Sequence, residues 1–311
     1  MNTSSFWKHT TVFITGINGF LGSHLAEELL EQGANVVGLV RDTGSYESYF
    51  FQQKINERVT IINGDLRDAE LMERIFNEYE IEICFHLAAQ PIVTIANRSP
   101  RSTLESNITG TWNILEAARH STLLKGLVVA SSDKAYGTSE NLPYVEDQPL
   151  NAINPYDLSK SATDLLAQSY ANTYDLPILI SRCGNFYGPG DLNWSRIVPG
   201  AFRSFLQNEI LELRSDGSPI RDYFFIKDVV SAYMALGEHV VTKKNNGEAF
   251  NFGTGEHISV LEILKKMQKI TGATDDSVNI LGTATHEIPA QYLDWTKAAT
   301  LLQWAPKTSL E

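Results

Sequence analysis

The chain has 311 residues, 43% hydrophobic and 20% charged, a composition typical of a soluble globular enzyme. Its formal net charge of -12 argues against general nucleic-acid binding, which needs a basic face, but allows a local Arg/Lys pocket for phosphate. No apolar run reaches transmembrane length, and residues 1–8 contain no signal-peptide core. Cys84 and Cys183 lie in apolar, strand-like runs, so buried free thiols in a reducing, cytoplasmic location are expected.

A glycine-rich turn separates the first predicted strand, residues 11–15, from the first predicted helix. Glycines at every third position allow a tight turn, the approach of a pyrophosphate to the backbone and close packing of the helix on the strand. The start of that helix also attracts anions. We therefore expect a dinucleotide site here rather than an ordinary turn. Its expected contacts are Gly16, Asn18, Gly19, Phe20, Leu21 and Gly22.

The end of the second predicted strand, residues 35–40, bears on the choice of cofactor. An acidic residue there would bind the adenosine ribose diol, whereas an arginine would accept a 2′-phosphate. Val40 occupies the acidic position and Arg41 follows it, which favours NADP over NAD. Asp42 keeps NAD open, and Arg41 could also be a solvated surface charge.

Two further strands end in residues suited to a cofactor. Residues 59–62 lead to Asp65 and Leu66, where the carboxylate could hold an adenine amino group or cap the next helix. The strand at residues 81–86 leads to small residues across which a flat cofactor could lie. His86 lies inside the apolar run and is predicted to be packed rather than catalytic. The contacts expected after this strand are Leu87, Ala88, Ala89 and Gln90.

Strands and helices alternate through the first half of the chain. This pattern predicts an α/β fold, a doubly wound parallel sheet with right-handed crossovers and helices on both faces. A ligand should lie at the carboxyl ends of its strands. Residues 1–183 are predicted to form the dinucleotide-binding domain, with a returning segment at about 224–245. Residues 184–223 and 246–311 are predicted to form a smaller α/β substrate lobe.

Three residues carry candidate redox chemistry. Tyr156 and Lys160 are four apart on a predicted helix and so share a face. A phenol pKa lies near ~10, but a nearby ammonium and a cationic nicotinamide would both lower it. Tyr156 could then take a hydroxyl proton, Lys160 could hold the nicotinamide ribose, and Ser132 could hydrogen-bond the reacting oxygen. An exposed helical pair is the alternative.

The glycine spacing, together with Ser132, Tyr156 and Lys160, resembles the extended branch of the short-chain dehydrogenase/reductase superfamily. The resemblance runs from about residue 11 to residue 310. It implies a Rossmann domain with bound NAD(P), an adenine contact at Asp65, and Asn107 as support for the active-site helices. It also implies a nucleotide-sugar substrate. The expected substrate contacts are Gln90, Ser132, Asn185, Arg221 and, unless it forms only a surface ion pair, Arg196.

The two residues after Ser132 separate the reactions of this family. Epimerases usually carry small or hydroxyl residues there, whereas sugar-nucleotide 4,6-dehydratases carry an acid and a base. Asp133 fits the acid that protonates the departing 6-hydroxyl. Lys134 stands where many dehydratases have Glu, and it would be the C5 base if burial lowered its pKa. The Ser-Asp-Lys run resembles CDP-glucose 4,6-dehydratases, although the pair could merely shape the loop.

These residues predict an NDP-hexose 4,6-dehydratase that forms a 4-keto-6-deoxy sugar nucleotide from UDP-N-acetylglucosamine or CDP-glucose. The reaction would oxidise C4, eliminate water across C5 and C6, and return hydride to C6. The dinucleotide would stay tightly bound and be regenerated, without a metal. A UDP-hexose 4-epimerase, and less so a non-catalytic dinucleotide sensor, are the alternatives.

The resemblance also implies a homodimer without nucleic-acid or membrane partners. Its interface would involve the helices containing residues 112–118 and 160–170. Leu165, Leu166 and Tyr170 are expected on their exposed faces.

Overall fold

The computed structural model describes residues 6–243, 246–284 and 287–310. Residues 1–5, at the start of the predicted first domain, and residues 244–245, at the end of the returning segment, lie outside this part of the chain. The strands are β1 (Thr11–Thr15), β2 (Asn35–Val40), β3 (Thr60–Asn63), β4 (Ile83–His86), β5 (Gly126–Ala130), β6 (Ile178–Cys183), β7 (Asn185–Tyr187), β8 (Leu211–Leu213), β9 (Ile220–Phe225), β10 (Ala249–Phe252), β11 (His257–Ser259), β12 (Val278–Ile280) and β13 (Ala290–Gln291).

The helices are α1 (Phe20–Glu31), α2 (Tyr49–Gln52), α3 (Ala69–Glu78), α4 (Val93–Arg98), α5 (Pro100–Leu104), α6 (Gly110–His120), α7 (Pro155–Tyr174), α8 (Ile197–Leu206), α9 (Ile226–Thr242), α10 (Val260–Thr271) and α11 (Thr296–Leu302). A π-helical turn, Glu105–Thr109, leads into α6, and a 3-10 turn, Asp133–Tyr136, follows β5. No helix in the described ranges is long and apolar enough to cross a membrane.

The central sheet has seven strands in the order β10-β6-β5-β4-β1-β2-β3. Every neighbouring pair in it is parallel. The chain runs outward from β1 to β3 and then returns to β4, which pairs with the other side of β1. This arrangement confirms the predicted doubly wound parallel sheet. The reversal beside β1 creates a crevice at the carboxyl ends of β1 and β4, where such folds bind ligands.

Both faces of the sheet are buried, which explains the continuous apolar runs of its strands. Val12 and Ile14 point into one core, beneath α1 and α9, while Phe13 points into a second core with Phe76 and Leu115. The two cysteines, on β4 and β6, are buried and free, as predicted. Their burial follows from the same two-sided packing.

A second sheet is built around β9, which pairs with β7, β11 and β13. In its register Asn185 lies beside Tyr223, and Gln291 lies beside Arg221. Paired residues and residues two apart on a strand share one face, so these four polar side chains form one surface. The sequence pattern predicts only a turn at residues 183–190. That expectation is wrong at β7, because this strand forms only by pairing with the distant β9.

A buried ion pair joins the elements that position the candidate site. Arg182 on β6 donates from Nε and Nη2 to the two carboxylate oxygens of Asp164 on α7, at 2.8 and 2.9 Å. Their side chains are 3% and 0% exposed. Arg182 Nη1 also donates to the Tyr136 hydroxyl at 2.8 Å, at the end of the 3-10 turn. One guanidinium therefore connects β6, α7 and the turn that follows Ser132.

We predict that Asp164→Ala lowers the free energy of unfolding by about 3–5 kcal/mol, because it leaves the Arg182 charge buried without its partner. Urea unfolding followed by circular dichroism measures this change. The matched control is Glu78→Ala, which removes the partner of Arg74 in an exposed pair and should cost less than about 1 kcal/mol. Equal effects of the two substitutions would contradict the importance of the buried pair.

Candidate active site

A cleft of about 1170 Å³ opens at the carboxyl ends of β1, β4 and β5 and extends to the face of the second sheet. It brings most of the residues predicted from the sequence together. Those that line it are Gly16, Asn18, Gly19, Phe20, Leu21, Gly22, Arg41, Asp65, Leu66, Leu87, Ala88, Ala89, Ser132, Asp133, Lys134, Tyr156, Lys160, Asn185, Arg196 and Arg221. Gln90 and Asn107 are not among its lining residues.

The glycine turn forms a close-packed cradle at the start of α1. Gly16 has φ +70°, and a methyl group on it would lie 3.0 Å from the Ala88 Cα atom. A methyl group on Gly22 would lie 2.2 Å from the Gly16 carbonyl oxygen. Gly19, the N-cap of α1, faces the cleft. This backbone surface beside a helix N-terminus fits the pyrophosphate of a dinucleotide.

Charged side chains line the region expected for the adenosine. Arg41 is half exposed and donates from Nε to Asp42 at 2.7 Å. Asp65 accepts hydrogen bonds from the Arg67 side chain, and these bonds hold the pKa of Asp65 below its ordinary value. Asp65 does not cap α3, because Asp68 does so by accepting from the Leu71 backbone at 3.0 Å. The capping alternative for Asp65 is therefore wrong.

Asn107 and Gln90 support the cleft from behind. Asn107 lies in the π-helical turn, accepts from the Gln90 backbone at 2.7 Å and donates to Ser159 at 2.8 Å. The Gln90 side chain binds Thr103 and the backbone of Ile92. Asn107 thus ties the loop after β4 to α7, whereas the Gln90 amide is held by its own loop and by Thr103 on α5.

His86 is packed, as predicted. Its ring lies between the hydroxyls of Thr15 and Thr111, each 2.9 Å from a ring nitrogen. Burial, with a smaller effect from Lys160, lowers its pKa to about 3. The imidazole is therefore neutral and serves to join β1, β4 and α6.

Ser132, Tyr156 and Lys160 converge at the end of β5. Ser132 lies two residues past that strand and close enough to Tyr156 to lower the phenol pKa slightly, while Lys160 donates from Nζ to the Ala130 carbonyl at 2.8 Å. Burial lowers the pKa of Lys160 to about 8. Burial and the Asp133 charge raise the pKa of Tyr156, against the smaller opposing effects of Arg196 and Ser132. In the protein alone desolvation thus dominates the pKa of Tyr156, and the lowering expected from a bound cationic nicotinamide stays a prediction.

Asp133 and Lys134 lie next to this set. Asp133 is buried and accepts from the Ser132 hydroxyl at 2.9 Å. Lys134 Nζ lies 3.8 Å from Asp133 Oδ2 and donates to the side-chain carbonyl of Gln291. Burial lowers the pKa of Lys134, while Asp133 opposes this shift. A carboxylate and an amine therefore flank the serine and phenol pair.

The predicted substrate-binding arginines have partners in the protein. Arg196 Nη1 pairs with Asp191 at 3.0 Å, and Arg221 Nη2 pairs with Glu287 at 3.3 Å. Arg221 and Asn185 lie on the shared face of the second sheet. That face also carries Tyr223, whose buried hydroxyl has no hydrogen-bond partner within the described residues. This surface offers donors for a phosphorylated ligand.

Comparison with known proteins shows which family has this arrangement of residues. The family model described as GDP-mannose 4,6 dehydratase matches residues 13–311. The chain belongs to this family. It is accordingly a short-chain dehydrogenase/reductase of the type that modifies nucleotide sugars, as the sequence resemblance predicted.

Its relatives in this family include both dehydratases and epimerases. The CDP-glucose 4,6-dehydratase of Salmonella typhimurium is 32% identical over 325 residues, covering 100% of this chain and 90% of the relative. The UDP-glucose 4-epimerase of Thermotoga maritima, solved with UDP-glucose, has a TM-score of 0.88 at 30% identity and covers 97% of this chain and 95% of the relative. The dTDP-glucose 4,6-dehydratase of Streptomyces venezuelae, solved with NAD, has a TM-score of 0.87 at 26% identity and covers 97% and 93%.

The structure adds two residues that sequence reasoning missed in this family member. Asp157 is buried beside Tyr156, and Gln291 is fully buried on β13; both line the cleft. Asp157 could have been identified from the sequence as a cleft residue, because it directly follows Tyr156. No local sequence pattern marked Gln291. In the described part of the chain, no group of three or more His, Cys, Asp or Glu side chains could hold a metal ion.

Proposed function

We propose that the protein is an NDP-hexose 4,6-dehydratase that forms a 4-keto-6-deoxy sugar nucleotide, with CDP-glucose and UDP-N-acetylglucosamine as the first substrates to test. The observation that supports this proposal is the pairing of Asp133 and Lys134 beside Ser132 in the cleft. Elimination of water needs proton-transfer groups beyond those that oxidise C4. The 32% identity to a CDP-glucose 4,6-dehydratase supports the same assignment.

Oxidation at C4 would use the three residues at the end of β5. Tyr156 accepts the proton of the C4 hydroxyl, and Ser132 holds that oxygen by a hydrogen bond. Lys160, a cation beside the strand end, holds the nicotinamide ribose and favours the phenolate. A nicotinamide dinucleotide bound at the glycine cradle supplies the capacity to accept hydride from C4 and to return it to C6.

Elimination follows because a ketone at C4 acidifies the C5 proton. Asp133 protonates the departing 6-hydroxyl, and its hydrogen bond with Ser132 holds it beside the oxidised carbon. A second group must take the C5 proton, and Lys134 stands at the sequence position where many dehydratases carry that base. Asn185, Arg196 and Arg221 would bind the diphosphate, since guanidinium groups make bidentate contacts with phosphate oxygens.

A UDP-hexose 4-epimerase is the alternative, since the Thermotoga maritima epimerase is 30% identical to this chain over 97% of its length. An epimerase oxidises and re-reduces C4 with Ser132, Tyr156 and Lys160. It has no step that removes the 6-hydroxyl. Asp133 and Lys134 would then only shape the loop.

The first test incubates the purified protein with each nucleotide sugar and analyses the product by mass spectrometry and NMR. We predict a 4-ketone with loss of the 6-hydroxyl. Lys134→Ala should slow its formation by at least about a hundredfold, because it removes the buried amine that is paired with Asp133 and is needed during the elimination. Lys269→Ala, on the exposed face of α10, is the control. Inversion at C4 alone, unaffected by Lys134→Ala, would identify an epimerase.

We also propose that the tightly bound dinucleotide is NADP rather than NAD. Val40 ends β2 without a carboxylate for the ribose diol, and Arg41 lies at the cleft wall where a 2′-phosphate would be bound. The dinucleotide released by denaturing the purified protein should therefore be NADP. Arg41→Ala should weaken NADP binding about tenfold, whereas Asp42→Ala, which frees Arg41 from its ion pair, should not. Release of NAD would contradict this preference.

A homodimer formed through α6 and α7 is the proposed assembly. Leu165 is 54% exposed and Trp112 52% exposed on these helices. Leu166 and Tyr170 are only half-buried rather than exposed, since Tyr170 accepts a hydrogen bond from Trp112 at 2.8 Å. We predict a dimer in sedimentation experiments and a monomer for Leu165→Glu, because a charge would be buried at the interface. A monomeric wild-type protein would contradict the proposal.

A further inference from the structure

We infer that Asp157 is a further catalytic residue, the base that takes the C5 proton of the hexose, and that Lys134 acts as a fixed cation instead of that base. The inference rests on the proposed dehydratase function. It is carried by the place of Asp157 in the cleft, by the hydrogen bonds of its carboxylate and by those of Lys134.

Asp157 lies where a C5 base is needed. It directly follows Tyr156 on the first turn of α7, and its carboxylate lies close enough to the phenol that its charge raises the pKa of Tyr156. It is 5% exposed and lines the same cleft as Tyr156. C4 and C5 of the hexose are bonded to each other, so the base for C5 must lie beside the phenol that serves C4.

The carboxylate of Asp157 is only partly satisfied by the protein. Its Oδ2 accepts from Asn154 Nδ2 at 3.1 Å, and among the described residues Oδ1 accepts no hydrogen bond. Burial raises the pKa of Asp157, although Asn154 and the Lys134 cation oppose this shift. Burying a carboxylate with one neutral partner is costly, and such groups concentrate at functional sites.

The Lys134 ammonium, by contrast, already has two partners in the protein. Its Nζ donates to the side-chain carbonyl of Gln291 and lies 3.8 Å from Asp133 Oδ2. Gln291 is fully buried and fixed on β13 in register with Arg221. An ammonium offers only N–H donors, and here the Gln291 amide oxygen receives one while the Asp133 carboxylate forms an ion pair with the charge. Such a cation can stabilise negative charge that develops on the substrate.

The step balances without a further reactant. The Asp157 carboxylate takes the proton from C5 of the 4-keto hexose, and the C5–H electron pair becomes the C5–C6 double bond. The C6–O bond breaks, and its electron pair leaves with the oxygen. That oxygen takes a proton from the Asp133 carboxylic acid and departs as water. The C4 ketone comes from the preceding oxidation, whose acceptor is the nicotinamide dinucleotide.

A structural role for Asp157 predicts a different pattern of defects. At the start of α7 its carboxylate, bound to Asn154, could also stabilise the first helical turn. Loss of such a contact would displace Tyr156 and impair C4 oxidation together with elimination. Loss of a C5 base would leave C4 oxidation in place and stop the reaction after it.

The test uses the holoenzyme with whichever of CDP-glucose and UDP-N-acetylglucosamine the wild type dehydrates. Reduced nicotinamide absorbance in a single turnover reports C4 oxidation, and deuterium uptake from heavy water at C5 reports deprotonation. Asp157→Asn should still reduce the nicotinamide but lose C5 exchange at least about a hundredfold. Lys134→Arg, which keeps a cation that cannot act as a base, should retain C5 exchange within about tenfold.

Two results would overturn the inference. Asp157→Asn could exchange C5 like the wild type while Lys134→Arg does not, which would return the base to Lys134. Asp157→Asn could instead lose C4 oxidation and C5 exchange equally at normal dinucleotide content, which would make Asp157 structural. Inversion at C4 by the wild type, without C5 exchange, would reject the dehydratase function itself and is separate from both.

Discussion

The geometry of this protein depends on the ion pair between Arg182 and Asp164. The guanidinium on β6 holds α7 through the carboxylate and holds the 3-10 turn through Tyr136. The helix carries Tyr156 and Lys160, and the turn carries Asp133 and Lys134. Because these two segments belong to different parts of the chain, a directional contact is needed to align them. A bidentate pair with both charges buried supplies that direction.

Around this contact, the cleft concentrates proton-transfer groups in a poorly hydrated space. Burial lowers the pKa of Lys160 to about 8 and also lowers the pKa of Lys134, whereas it raises the pKa of Asp157. Each shift moves the pKa of the group towards neutral pH, where a side chain can both donate and accept a proton. The dehydratase proposal and the assignment of the C5 base both depend on the positions of these charged groups in the cleft.

The fold does not distinguish a dehydratase from an epimerase. Solved members of both kinds superpose on this chain with TM-scores of 0.87 and 0.88. A shared scaffold brings serine, tyrosine and lysine to the end of β5, and the side chains around them select the outcome. Under the proposed function, the distinguishing residues of this chain are Asp133, Lys134 and Asp157.

The amino-acid sequence alone determined the parallel sheet, the glycine cradle and the Ser132, Tyr156 and Lys160 set, because each depends on short spacings in the chain. It predicted His86 as packed from its apolar neighbours. It correctly predicted that Asn107 supports an active-site helix, since Asn107 binds Ser159 on α7. It failed where the partner is distant: β7 forms against β9, and the Gln90 side chain binds Thr103 instead of lining the cleft. Only the tertiary structure placed Gln291 on Lys134, 157 positions away, and showed that Asp157 is buried in the same cleft. Such contacts arise when two sheets meet, and no local pattern encodes them.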